Sequence, residues 1–146
     1  MWYTPSEGDK VKVMALDYGD ARTGVAISDS LGLLAGETAV LPSWNHPKLL
    51  EDVAELAKAR GIETVVLGLP RNMDGSEGPR AEKSRAFASE LEGKGLTVVF
   101  VDERRTTLEA HGILSEAGKK GKKKRQRIDA VAATLILETY LNGLRN

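Results

Sequence analysis

Val11-Lys12-Val13-Met14-Ala15-Leu16-Asp17-Tyr18-Gly19-Asp20-Ala21-Arg22-Thr23-Gly24-Val25-Ala26-Ile27 sets two apolar runs on either side of a polar, acid-bearing turn. Val11 to Leu16 carries apolar residues on both faces of an extended chain, the pattern of a strand in the middle of a sheet. Asp17 ends it, Asp20 to Gly24 forms a polar turn, and Val25 to Ile27 reads as a second short strand. A Gly-rich connection leads to a third, Glu37 to Leu41. Connections this short favour an antiparallel meander.

Beyond Leu41 the period changes. Pro47 to Arg60 puts Leu49, Leu50, Val53, Leu56 and Ala57 on one helical face, with Pro47 in the first turn and Gly61 as the stop. Thr64 to Leu67 reads as a buried strand, Gly68 to Pro79 as a glycine-rich polar loop, and Arg80 to Glu92 as a second helix. Thr97 to Val101 is the next strand, switching abruptly into Asp102, Glu103, Arg104 and Arg105. Thr106 and Glu109 have capping-box spacing, which predicts a third helix to about Ala117, and Ile128 to Leu144 reads as the last helix. A strand-helix-strand crossover makes its strands parallel. The order therefore predicts a single α/β domain whose mixed five-stranded sheet combines a three-stranded antiparallel meander with two parallel strands, flanked by helices. Residues 1–10 read as an N-terminal tail and residues 11–144 as the domain.

The 146 residues, 41% of them apolar, suffice for one domain with a core that needs no disulfide or structural metal. The absence of cysteine excludes a zinc ribbon, an iron-sulfur site and thiol chemistry. Ile128 to Leu141, the longest mainly apolar stretch, is broken by Asp129, Thr134, Glu138 and Thr139 and falls short of the roughly 20 residues a membrane span requires. The N-terminus has no apolar signal core, so a cytoplasmic location without membrane contact is expected. Formal net charge is zero, but it is unevenly spread. Lys119, Lys120, Lys122, Lys123, Lys124, Arg125 and Arg127 form one segment without an acid, and the remaining 14 basic residues face 21 acidic ones. In isolation such a run reads as a solvated loop.

Four acids at three places in the fold fall where this architecture brings them to one edge: Asp17 at the end of the first strand, Asp102 and Glu103 at the end of the last, and Asp129 at the start of the final helix. Active sites of open α/β sheets lie at that edge. Taken singly, Asp17 can anchor its own turn, Glu103 can pair with Arg104 or Arg105, and Asp129 can serve the helix dipole. Their joint placement favours a cation site instead, because clustered carboxylates repel unless neutralised and their hard oxygens suit Mg²⁺ or Mn²⁺. His46 and His111 fit no ligand spacing and read as structural or surface residues.

Four motifs occur in order: Ala15-Leu16-Asp17-Tyr18-Gly19-Asp20-Ala21-Arg22-Thr23-Gly24-Val25-Ala26, Gly68-Leu69-Pro70-Arg71-Asn72-Met73-Asp74-Gly75-Ser76-Glu77-Gly78, Asp102-Glu103-Arg104, and Asp129-Ala130-Val131-Ala132-Ala133. Together, from about Val11 to Leu141, they resemble the YqgF family, also called RuvX. The resemblance implies a ribonuclease H-like fold similar to Holliday junction resolvases, and a nuclease maturing the 5′ end of the 16S ribosomal RNA precursor. It implies Asp17, Glu103 and Asp129 as metal-binding catalytic acids, with Asp102 a further metal-site participant, and two-metal phosphodiester hydrolysis. Arg22, Arg71, Arg80 and Arg104 then become phosphate contacts, the amides of the Gly75 to Gly78 loop hold another phosphate, and the segment from Lys119 to Arg127 supplies backbone charge beside Asp129. Aromatic residues do not interleave with that segment, which favours structured RNA over single strands, with branched DNA as the second substrate. Ribosomal association, as monomer or homodimer, completes the expectation.

Relatives with the wider ribonuclease H-like pattern carry an acid at the end of the strand before the Gly68 loop. This chain has Gly68-Leu69-Pro70 there and its acids one strand later. Side chains alternate along a strand, so only one of Asp102 and Glu103 faces the site if the strand runs through both, and the reach of Glu103 favours it. Three other readings stay open at this point. A Holliday junction resolvase requires a dimer, a catalytically silent nucleic-acid-binding adaptor requires no metal, and a phosphotransferase of the actin and hexokinase type requires a second lobe.

Overall fold

A computed structural model describes residues 12–29, 35–103 and 121–145. β1 (Val13–Asp17), β2 (Arg22–Ser28) and β3 (Ala35–Pro42) form the meander, followed by α1 (His46–Arg60), β4 (Thr64–Leu69), α2 (Pro79–Gly93), β5 (Thr97–Asp102) and α3 (Gly121–Arg145). The five strands lie in the order β3-β2-β1-β4-β5. β2 is antiparallel to both its neighbours, whereas β4 pairs in parallel with β1 and β5. The mixed α/β sheet is the one expected.

β1 is the centre of the sheet, and its alternating side chains set the two layers. Met14 and Leu16 join Leu49 and Val53 of α1 and Phe87 and Leu91 of α2 in one core cluster. Val13 and Ala15 point the other way and pack with Ala133, Ile136, Leu137 and Leu141 of α3. β2 and β4 follow the same parity, with Val25 and Leu67 in the first cluster and Ala26 and Val66 in the second. Small side chains on the second face, Ala15, Ala26 and Ala133, let α3 lie close to the strands.

The local signals explain the boundaries. The Asn45 side chain accepts from the Lys48 amide at 3.3 Å to cap α1, and Gly61, at φ 67°, closes it by donating to the Lys58 carbonyl. Pro79 opens α2 at a position where its missing amide hydrogen costs nothing. At the buried sheet ends, the Val13 amide donates to Ser28 Oγ at 2.8 Å, and Thr23 Oγ1 and Ser43 Oγ share a 2.7 Å hydrogen bond.

The last helix differs from its expectation. It begins at Gly121, not Ile128, so Lys122, Lys123, Lys124, Arg125 and Arg127 belong to helical backbone instead of a loop. Lys, Arg and Gln are good helix formers, and no proline interrupts the run into the apolar face. Asp129 consequently sits in the third turn, away from the orphan amides of the first turn that a helix-dipole role would need. The tail of residues 1–10, the helix expected from Thr106 to Ala117, Arg104, His111, Lys119 and Lys120 lie outside the described residues. Among the described residues no helix is long and apolar enough to cross a membrane.

Candidate active site

The carboxyl ends of β1, β4 and β5 share an edge with the start of β2. Asp17 is paired in register with Gly24 of β2, and Leu16 with Leu67 of β4, which puts Gly68 one step on beside Asp17. By strand parity Asp17 continues the Val13 and Ala15 face, the side covered by α3. Val101 lies on that face and Phe100 on the other, so Asp102, paired with Leu69, projects toward the side of α1 and α2. Glu103 lies just past the end of β5 and reaches the α3 side, where its side chain lies over Gly68.

Glu103 crosses β4 to reach it. Its side chain is hydrogen-bonded to Asp17, and its carboxyl is pushed up to about 9, first by burial, then by that hydrogen bond and by the Asp17 charge, with Arg80 opposing. Near neutrality Glu103 therefore carries a proton, which is how two carboxyl groups remain in contact. The crossing depends on the strand between them. A methyl group built on Gly68 would stand 2.8 Å from Glu103 Cγ and 2.7 Å from Ile136 Cδ1.

On the other side of Asp17, α3 presses on β2. A methyl group on Gly24 would collide with the backbone carbonyl oxygen of Asp129 and come within 2.6 Å of its carbonyl carbon. The Asp129 carboxylate accepts a hydrogen bond from Arg22 Nε at 2.7 Å. Burial raises the Asp129 carboxyl above its ordinary value; Arg22 counters the rise, and the Asp17 charge adds to it. Arg22 thus stands at the expected edge but is engaged with an acid.

Asp17, Glu103 and Asp129 accordingly gather on one face as expected, but as a proton-sharing pair and an arginine-held neighbour. Among the described residues no three His, Asp or Glu side chains form a ready metal cage. The donor chemistry nonetheless fits a hard divalent cation: every group is a carboxyl, and the Glu103 proton and the Arg22 guanidinium offset the repulsion among them.

Two further expected residues flank this cluster. Arg71 and Arg80 line a surface pocket of about 200 Å³ with Asn72, Gly78 and Pro79 at the start of α2. Arg71 stands 3.6 Å from Glu77, whose carboxylate is held more tightly by Arg85 Nε at 2.7 Å. The expectation that the Gly75 to Gly78 amides hold a phosphate is corrected in part. The Gly75 amide donates to the Asn72 carbonyl at 2.8 Å and the Ser76 amide to Asp74 Oδ1 at 2.9 Å, so the loop spends both on its own turn. His46 is structural, with its ring edge-on to Phe87 and Tyr18 and its Nε2 2.7 Å from Glu90.

Sequence reasoning missed the spacer role of Gly24 and Gly68, although a glycine inside a strand signals close approach by another segment. Trp44, 79% exposed, follows Ser43, whose amide donates to the Ala21 carbonyl at this same edge.

The RuvX family model, described as Holliday junction resolvase, matches residues 11–143. A protein of Pelotomaculum thermopropionicum named "Putative pre-16S rRNA nuclease" is 46% identical over 135 residues, covering 91% of this chain and 88% of the relative. One of the same name from Moorella thermoacetica is 46% identical over 135 residues, covering 92% and 96%. Among solved structures, T. thermophilus RuvC in complex with Holliday junction substrate superposes with a TM-score of 0.55 at 14% identity, covering 93% of this chain and 96% of that one. Fowlpox virus resolvase with substrate Holliday junction DNA gives 0.58 at 12% identity, covering 93% and 100%. The structural likeness establishes the ribonuclease H-like fold, and the extent of the family match establishes that the chain belongs to the RuvX family.

Proposed function

We propose that this protein is a metal-dependent nuclease that hydrolyses phosphodiester bonds and matures the 5′ end of the 16S ribosomal RNA precursor. The observation that carries the reading is the meeting of Glu103 and Asp17 beside Asp129 on the α3 face of the carboxyl edge. The name given to relatives at 46% identity supports the ribosomal RNA substrate.

Asp17, Glu103 and Asp129 would hold the cation through carboxylate oxygens, with Mg²⁺ and Mn²⁺ both suited to such donors. A pair of such ions supplies an activated water and neutralises charge on the leaving oxygen. The chain's own contribution is placement. Asp17 and Asp129 are fixed on a buried strand and a packed helix, so their carboxylates hold their relation without a mobile loop. With a cation bound, Glu103 would give its proton to solvent and present a carboxylate beside the Asp17 side chain. Arg80, electrostatically coupled to Glu103, and Arg71 next to it orient a substrate phosphate over the pocket at the start of α2. The helical run from Lys122 to Arg127 precedes Asp129, and at 1.5 Å per residue the turns before Asp129 carry α3 about 12 Å past the acid, a track for the flanking backbone. Asp102, on the opposite face, acts on Glu103 through its charge, which adds to the rise of the Glu103 carboxyl.

The direct test is cleavage of end-labelled precursor 16S RNA and a DNA four-way junction in parallel, with Mn²⁺, Mg²⁺ or EDTA, using wild type beside Asp17→Asn. Metal-dependent cutting of the RNA that the variant loses is expected. Paired symmetrical cuts in the junction would assign a resolvase. Binding of either substrate without cutting would assign an adaptor.

A further inference from the structure

Asp17 is bracketed in the sheet by two glycines on the same face. Gly24 is its register partner on β2, and Gly68 lies beside it on β4, one step beyond the Leu16 and Leu67 pair. Each leaves a hole the size of a side chain, and each hole is filled by the segment that brings another acid. The Asp129 backbone occupies the space over Gly24, and the Glu103 side chain occupies the space over Gly68. We propose that Gly24 and Gly68 are positioning residues, whose missing side chains are the openings through which Asp129 and Glu103 reach Asp17.

The need for the second opening follows from the strand order. β5 is separated from β1 by β4, so the two acid-bearing strands lie about 10 Å apart at roughly 4.8 Å per step. Any side chain on the α3 face of β4 at this level stands between them. Residue 68 is that position, and a Cβ there would lie 2.8 Å from Cγ and 3.0 Å from Cδ of Glu103, closer than carbon atoms pack. Glycine in a strand interior ordinarily weakens the strand, so its presence beside Asp17 calls for a compensating gain. The gain is access. The metal-site part of this inference rests on the nuclease reading; the positioning of Glu103 stands on geometry alone.

The test separates the opening from its other neighbour. Gly68→Ala also crowds Ile136 Cδ1 at 2.7 Å, and Ile136→Val removes that atom, so the pair Gly68→Ala/Ile136→Val is compared with Ile136→Val alone. In metal-free crystals of the double variant, Glu103 is expected to have left Asp17, with a melting temperature within a few degrees of the Ile136→Val protein. Glu103 still hydrogen-bonded to Asp17 would overturn the proposal. Mn²⁺ titration by calorimetry forms the second arm. The double variant should bind Mn²⁺ at least tenfold more weakly than Ile136→Val. Binding should recover in Gly68→Asp/Glu103→Ala, which carries its carboxylate on β4 itself, and remain lost in Gly68→Ala/Glu103→Ala. Undiminished Mn²⁺ affinity in Gly68→Ala/Ile136→Val would likewise overturn the inference. Wild type that takes up no Mn²⁺, alongside a displaced Glu103 in the first arm, would leave the positioning role standing and remove the nuclease reading.

Discussion

Arg22 and Asp129 lie 107 residues apart and are joined by a 2.7 Å bond from Nε to Oδ2, which ties the first residue of β2 to the third turn of α3. The acid side chain is only 14% exposed and the arginine 35%, so the carboxylate depends on this partner more than the guanidinium does. Removing Arg22 leaves a mostly buried carboxylate facing the Asp17 charge. Arg22→Ala should therefore lower the metal-free stability by about 1 kcal/mol, the low end for a charged pair because the arginine is partly solvated. Urea unfolding in EDTA at neutral pH measures it. A midpoint equal to wild type would show that the bond contributes nothing net.

Glu103 makes the stability of the metal-free protein fall as pH rises. Its folded carboxyl titrates near 9 against an ordinary 4.5, so between those values the folded state holds a proton that the unfolded chain releases. Stability from this group is full below the unfolded value and is lost as pH climbs toward 9. Asp129, also raised, adds to the fall at the acid end. Glu103→Gln keeps a neutral, hydrogen-bonding side chain and should flatten the dependence. Urea midpoints from pH 5 to 9 for both proteins decide it, and parallel curves would deny the shared proton.

Asp17→Asn and Asp129→Asn should each abolish hydrolysis while preserving the fold. The substitution is nearly isosteric, and it removes one like charge from a crowded cluster, so neither variant should melt far below wild type. Losing an outer-shell partner of a metal site costs ten- to hundredfold in activity, and loss of a direct ligand should exceed about a hundredfold. Single-turnover cleavage of precursor RNA, with circular dichroism of both variants, measures the two halves of the claim. Undiminished cleavage by either variant would remove that residue from the catalytic set.

The order of strands and helices was legible because its signals are local: period-two and period-3.6 apolar patterns, Asn45 with Pro47 at one helix start, and Gly61 at its end. The acidic edge followed from the same order, since a residue ending a strand stays with that strand. What local reading missed came from contacts across the sheet. The basic segment looks like a loop by charge alone, yet it has helix formers throughout and continues into an apolar face that α3 buries against β1 and β2. Gly24 and Gly68 are silent in a one-dimensional pattern, because their meaning lies in which atoms of Asp129 and Glu103 fill the space they leave. That Glu103 lies beside Asp17 shows only in its side chain filling the space over Gly68, because β5 ends at Asp102 and its phase does not extend to residue 103. The arginine hold on Asp129 was equally hidden, since nothing near Arg22 in the sequence marks a partner more than a hundred residues away.

Lys122, Lys123 and Lys124 occupy consecutive positions in the first turns of α3. Their sum should appear in the salt dependence of RNA binding, because each phosphate neutralised releases condensed counterions. Replacing all three with Ala keeps helix propensity high and should leave the melting temperature near wild type. Binding should weaken, and the slope of log K against log salt should become shallower by between about 1 and 3, according to how many of the three face the backbone. Fluorescence of the exposed Trp44 in a Trp2→Phe background, or anisotropy of a labelled RNA, reads the affinity between 50 and 200 mM salt. An unchanged slope would return this part of α3 to a solvated helix face and move the substrate track toward Arg71 and Arg80.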